Sequence, residues 1–275
     1  MQKPPFNLST FQLFNTANIA LAVIDETPDL LVINKPPFLL VHPTKPGGPI
    51  TLWDRLKELL VYEISTGGQI SLINRLDRET SGLVLVAKNH LAARHCSMAM
   101  ERGGIAKEYL ALVSGSVQEE EQTIDAPLLR LGEVAPTKIW LQRAIHATGA
   151  AAVTHVRVEQ RLLHPHYGPL TLLRCYPRTG RTHQIRVHLA SLGHPIIGDK
   201  IYGPAEECYL TFIKTGWTPE LKAQLWLPRH ALHSAALELC YEGKQYRWES
   251  ALPLDLAELI KECENITLVK KQNPL

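Results

Sequence analysis

The chain has 275 residues, 45% of them hydrophobic and 20% charged, enough apolar material for one large core or two modest ones and too much for a disordered or fibrous polypeptide. Its 29 Lys and Arg oppose 27 Asp and Glu, a formal charge of +2, so any nucleic-acid surface must come from clustering of basic residues rather than from their excess. The five cysteines, at 96, 175, 208, 240 and 263, form no C-x-x-C pair and no framework spacing, which points to a reducing cytoplasm; Pro4, Pro5 and the polar stretch 7–18 fit neither a signal peptide nor a membrane span.

In chain order, residues 1–18 read as a leader. Strands are expected at 19–24 and 30–34, separated by the turn-rich 25–29, and Pro36 and Pro37 stop the second. After a loop at 44–49, Thr51 can cap a helix with Asp54 three residues on; Leu52, Leu56, Leu59 and Leu60 form its apolar stripe, and Gly67 and Gly68 close the unit. Residues 70–73 and 83–86 are strand-like and flank a polar turn. Asn89 can cap a helix over 90–102 that ends at Gly103 and Gly104, and a strand is expected over 108–113.

Short alternating runs follow at 153–159 and 170–176. A helix is expected over 182–192, with Ile185, Leu189 and Leu192 on its buried stripe and Gly193 past its end, leaving His183, Arg186 and Ala190 on another face. Helices and strands interleave irregularly and neighbouring strands are joined by turns, which predicts an α+β fold with mainly antiparallel mixed sheets and flanking helices rather than βαβ repeats. No Pro/Gly/Ser linker divides the middle of the chain, so one catalytic domain over 19–264 is expected, with a fraying tail over 265–275. The roughly 35 residues before Asn34 are too few for an independent module.

Two segments carry chemistry. Asn74-Arg75-Leu76-Asp77-Arg78-Glu79-Thr80-Ser81-Gly82 places one carboxylate, Asp77, beside an arginine at a strand-to-strand connection, where a rigid scaffold can present it. The second, Arg178-Thr179-Gly180-Arg181-Thr182-His183-Gln184-Ile185-Arg186, lies in a basic stretch that also holds Arg174, Lys200, His188 and His194 against the single acid Asp199. Thr179, Gly180 and a helix start make phosphate contact by Arg181 and the helix N-terminus the better reading of that stretch. Taken alone, these residues have bland readings. An Asp in a polar turn usually makes an Asx-turn, Arg186 would be a solvated helix residue, Tyr109 a core aromatic and Leu232 a core leucine. Neither the His183 and His188 pair nor His164 and His166 has the spacing of a zinc helix.

The first segment resembles the R-L-D-x-x-T-S-G signature of the RluA family of RNA pseudouridine synthases, and the second resembles that family's other long motif; they occur in the family's order, and the resemblance extends from roughly Asp29 to Leu237. It implies the pseudouridine-synthase catalytic fold with an active-site cleft, and site-specific isomerisation of uridine in structured RNA, either ribosomal RNA, the large subunit first, or transfer RNA. No metal, nucleotide cofactor or membrane is implied, and a monomer acting in the cytoplasm is expected.

The resemblance makes Asp77 the catalytic aspartate, attacking the base or the sugar or abstracting the ribose 2′ proton, and Arg186 the partner that keeps it charged. Tyr109 and Leu232 would hold the two faces of the uracil, and Arg75 would fill the gap left by the flipped nucleotide. Thr80 and Arg181 complete the expected substrate contacts. Position 74 is Asn where the family usually has His, which leaves that side chain without an inherited role. Two rival readings stand beside the enzyme: a non-catalytic RNA-binding or ribosome-assembly protein on the same fold, and a hydrolase using Asp77 and Glu79 as paired acid and base.

Overall fold

The computed structural model describes residues 21–44 and 46–265. The expected leader, the first residues of the first strand and the tail beyond 265 lie outside them.

The described elements are β1 (Ala22–Glu26), β2 (Leu30–Lys35), α1 (Leu52–Leu59), α2 (Val61–Ser65), β3 (Ser71–Leu72), β4 (Ser81–Ala87), α3 (His90–Glu101), β5 (Ile105–Ser114), β6 (Glu121–Asp125), β7 (Leu128–Arg130), β8 (Arg143–Ile145), β9 (Val153–His164), β10 (Gly168–Pro177), α4 (Gln184–Ser191), α5 (Glu207–Thr215), α6 (Pro219–Leu225), β11 (Leu232–Tyr241), β12 (Lys244–Glu249), α7 (Leu254–Lys261) and β13 (Glu264–Asn265). The main sheet runs β1-β2-β4-β11-β5-β10-β9-β13, with β12 on β11, β3 on β4 and β6 on β9; β7 and β8 form a separate hairpin. Its pairings are antiparallel except for β4 and β11, which meet in parallel where His233 and Ser234 oppose Ser81 and Gly82. That junction joins the strand leaving the Asp77 turn to the strand that begins at Leu232.

Local sequence explains the elements read correctly. Thr51 accepts from the Asp54 N–H while the Asp54 carboxylate accepts from the Thr51 N–H, a full capping box, and Asn89 caps α3 by accepting from Ala92. The strand expected at 108–113 extends back to Ile105, and the runs at 153 and 170 lengthen into β9 and β10. Central strands bury both faces. Along β4, Leu83, Leu85 and Ala87 pack with Ala92, Ala93 and Cys96 of α3, while Val84 and Val86 join the other core with Leu52 and Leu56 of α1.

Two expectations need correction. Leu59 is half exposed, whereas Leu60 is buried, so the α1 stripe turns away before its last residue. The helix expected over 182–192 is shorter, Gln184–Ser191, and is not amphipathic: all residues from Gln184 to Leu189 are buried, Arg186 among them. A charged residue inside such a helix needs partners, and these lie at the centre of the site.

Candidate active site

Asp77 sits in the turn between β3 and β4, which is fixed from both sides. Asn74 is buried and spans the turn's base, donating from Nδ2 to the Leu83 carbonyl at 3.0 Å and accepting the Leu85 N–H at Oδ1 at 2.8 Å. That asparagine therefore serves the backbone of β4. Lys35, fully buried, donates to the carbonyls of Pro36, Leu39 and Arg78. Arg229, also fully buried, reaches the Glu79 carbonyl at 3.3 Å and is held at its other edge by Asp255 at 2.6 and 2.9 Å. Thr80 is buried and shares a 2.7 Å hydrogen bond with His230, so its hydroxyl supports the turn from below.

The charges around Asp77 form a chain. Arg186 Nη1 donates to Asp77 Oδ2 at 2.8 Å, while its Nε and Nη2 donate to Asp199 at 2.7 and 2.9 Å. Asp199 also accepts the N–H groups of Ile201 and Tyr202, and the Tyr202 ring lies 5.0 Å from the guanidinium centre. Exposure falls along the chain: the Asp77 side chain is 27% exposed, Arg186 5% and Asp199 0%. Asp199 thus grips one edge of the guanidinium and leaves the other for the carboxylate at the surface.

Burial alone would raise the Asp77 pKa, but His183, Arg186 and His230 outweigh it and hold the carboxyl at about 2. Burial, reinforced by Arg186, pushes both imidazoles down, His183 to about 4 and His230 to about 3. Both are neutral at pH 7, where Arg186 supplies the countercharge. His183 occupies the left-handed region at φ 60° at the mouth of α4, with Nδ1 2.8 Å from the Tyr202 hydroxyl and Nε2 3.9 Å from Asp77. A non-glycine residue there is uncommon, and its surroundings over-determine the position.

Tyr109 opposes Ser234 across β5 and β11 and is buried; burial, with the Asp77 charge adding to it, raises its phenol to about 12, so the hydroxyl stays protonated. Leu232 is buried at the start of β11, beside the same junction. Arg75 is exposed and lowers His42 by its charge, second to burial. Arg181 is exposed too, with Nε on the Ala151 carbonyl at 3.0 Å. The sequence expectations thus divide into Asp77 with Arg186 in direct contact, Tyr109 and Leu232 on neighbouring strands, and Arg75 and Arg181 in the solvent-facing segments.

Glu79 argues against a paired acid and base. Lys200 holds its carboxylate at 2.9 and 3.0 Å, and although burial opposes it, the charges of Lys200, His230 and Arg78 keep the Glu79 pKa at about 2. Two carboxylates ionised at neutral pH leave no proton for a general acid. Sequence reasoning missed Asp199, Lys35, Tyr202, Arg229 and His230. A faint signal existed for Asp199, the single acid in a basic stretch.

Residues 29–191 match the family profile described as RNA pseudouridylate synthase. The chain is 35% identical over 261 residues to the ribosomal large subunit pseudouridine synthase D of Haemophilus ducreyi, spanning 90% of this chain and 72% of that protein. It is 36% identical over 262 residues to the protein of the same description from Nitrosomonas europaea, spanning 94% and 69%. The chain belongs to the RluA family of RNA pseudouridine synthases. Its fold agrees: the human RNA pseudouridylate synthase domain containing 1 superposes with a TM-score of 0.67 at 25% identity, covering 92% of this chain and 91% of that one. As an RNA pseudouridine synthase it isomerises uridine to pseudouridine, and RNA is its partner.

Proposed function

We propose that the chain forms pseudouridine in ribosomal RNA of the large subunit, with Asp77 as the reacting carboxylate. The relatives' descriptions support the choice of RNA. The observation that carries the assignment of Asp77 is the Asp199, Arg186, Asp77 chain, which ends in an ionised carboxylate at the partly exposed end.

Pseudouridine formation breaks the bond from C1′ to N1, turns the uracil and rejoins it through C5, from which a proton leaves. Attack by the carboxylate on the base or sugar, or removal of the 2′ proton, each requires the ionised form. Arg186 keeps Asp77 in that form without competing for protons, because a guanidinium does not titrate near neutrality. Tyr109 and Leu232, on adjacent strands, hold the loosened base. Exposed Arg75 stacks where the flipped nucleotide was.

Tritium release from RNA labelled at uridine C5, followed separately in unmodified large-subunit ribosomal RNA and in transfer RNA, tests the reading. Release from the ribosomal pool that vanishes in Asp77→Asn, with RNA affinity little changed, is the expected result. Retained turnover in that variant would overturn the role of Asp77. Salt-sensitive binding without release from either pool would favour the binding protein.

A further inference from the structure

Lys107 lies two residues before Tyr109 on β5. Alternation puts the two side chains on one face of the strand, about 7 Å apart along it. Its ammonium has one described contact, a marginal 3.5 Å approach to the Thr179 carbonyl, and a Cβ added at Gly180 would lie 3.7 Å from Nζ. The side chain is half-buried, and burial lowers its pKa with no carboxylate among the described residues acting to restore it.

The buried lysines of the structure are satisfied. Lys35 has three carbonyls, Lys88 has Glu26 and Glu63, and Lys200 has Glu79 with the Pro228 carbonyl. On the opposite face of β5, Glu108 is shared by Arg174 and Arg247. Lys107 has no such balance, and Arg178 and exposed Arg181 flank the same glycine in the chain.

Nor is Lys107 needed to hold the 178–181 turn. The Arg178 N–H donates to the Val153 carbonyl at 3.0 Å, the Thr179 hydroxyl accepts the Val153 N–H at 3.0 Å and donates to Gln184 Oε1 at 2.6 Å, and the Arg181 N–H donates to the same oxygen at 3.0 Å. The turn is complete without the lysine.

We propose that Lys107, with Arg178 and Arg181 beside it, binds a backbone phosphate of the RNA next to the target uridine. The inference rests on the reading of the site given above. An anion there neutralises a cation that the fold leaves unmatched, and it fixes the nucleotide's backbone while Tyr109, one step along the strand, meets its base. Phosphate contacts position the RNA without reading its sequence.

The test compares wild type with Lys107→Met and Lys107→Arg. Binding to an unmodified large-subunit ribosomal RNA transcript is measured across salt concentration, with tritium release from the same transcript. Lys107→Met should flatten the plot of log affinity against log salt by roughly 0.7–0.9, one phosphate contact, so that the wild-type advantage shrinks about threefold between 50 and 200 mM salt. KM should rise more than kcat falls, and Lys107→Arg should restore the slope. An unchanged slope, with wild type turning the transcript over, would overturn the assignment of Lys107 alone, even if affinity or the unfolding midpoint fell. A wild type that turns over neither this transcript nor transfer RNA would overturn the functional reading, and the lysine's role with it.

Discussion

At the scale of single residues, the Asp77 carboxylate depends on a second, fully buried carboxylate, Asp199. Arg186 is buried between Asp77 and Asp199, and only Asp199 engages two nitrogens of its guanidinium. Replacing Asp199 by Ala strands a buried cation and removes the acceptor of two backbone N–H groups, which should cost about 3–5 kcal/mol of stability. Asp199→Asn keeps the shape and loses the charge. It should fold with a smaller loss and yet lower kcat more than it raises KM, because a guanidinium held by one partner is free to rotate away from Asp77. Urea unfolding and tritium release on both variants check this; a fully active Asp199→Asn would show that Arg186 needs no anchor. The two motifs made Asp77 and Arg186 legible in the sequence. Lys35 and Arg229 were not, since each meets the site from another part of the chain and nothing in its own neighbourhood distinguishes it from a solvated charge, and Asp199 was legible only faintly, as the one acid in a basic stretch.

At the scale of elements, the reading succeeded where local signals and tertiary demands coincided. The capped starts of α1 and α3, and the apolar strands β2 and β4, are written in adjacent residues. It made no assignment at β11, whose Ala235-Ala236-Leu237-Glu238-Leu239 run has good helical propensity but lies between β4 and β5, where the sheet decides its conformation. The helices α5 and α6 were missed for a related reason: their apolar residues, Cys208, Phe212, Leu221 and Leu225, mainly serve a small core of their own.

The β4 and β11 junction also explains the glycine that ends the Asp77 motif. Gly82 has φ +109°, and a Cβ there would overlap the backbone of Ser234. Gly82→Ala should therefore push the two strands apart, lower stability by several kcal/mol, and shift the Asp77 turn relative to Tyr109. Circular dichroism with urea unfolding reports the first effect. Wild-type stability in this variant would mean that the junction tolerates separation.

At the scale of the whole molecule, the imidazoles and carboxylates whose pKa values the fold depresses make it sensitive to acid. Burial depresses His183, His230 and His233 to about 4, 3 and 4 from an ordinary value near 6.5. Between roughly pH 6.5 and 4 the unfolded chain therefore binds protons that the folded chain refuses, and stability must fall as pH falls through that window. Each imidazole contributes at most about 1.4 kcal/mol per pH unit, so the three together approach about 4 where all are engaged.

The carboxylates act in the same direction at lower pH. Asp77 and Glu79, held at about 2, contribute stability that is whole above their ordinary values of 3.8 and 4.5 and is lost as pH falls toward 2. Urea unfolding at a series of pH values should show a continuous decline from about pH 6.5 downward, carried first by histidines and then by carboxylates. His233 separates the two parts of the molecule, since it bonds Ser81 at 3.0 Å and the Ser250 carbonyl at 3.2 Å and stands outside the Arg186 chain. In His233→Gln the slope between pH 6 and 5 should drop by about one proton while the decline below pH 4.5 persists. A profile flat from pH 7 to 5 in the wild type would mean that these imidazoles accept protons without opening the fold, and that the countercharge on Asp77 grows as pH falls.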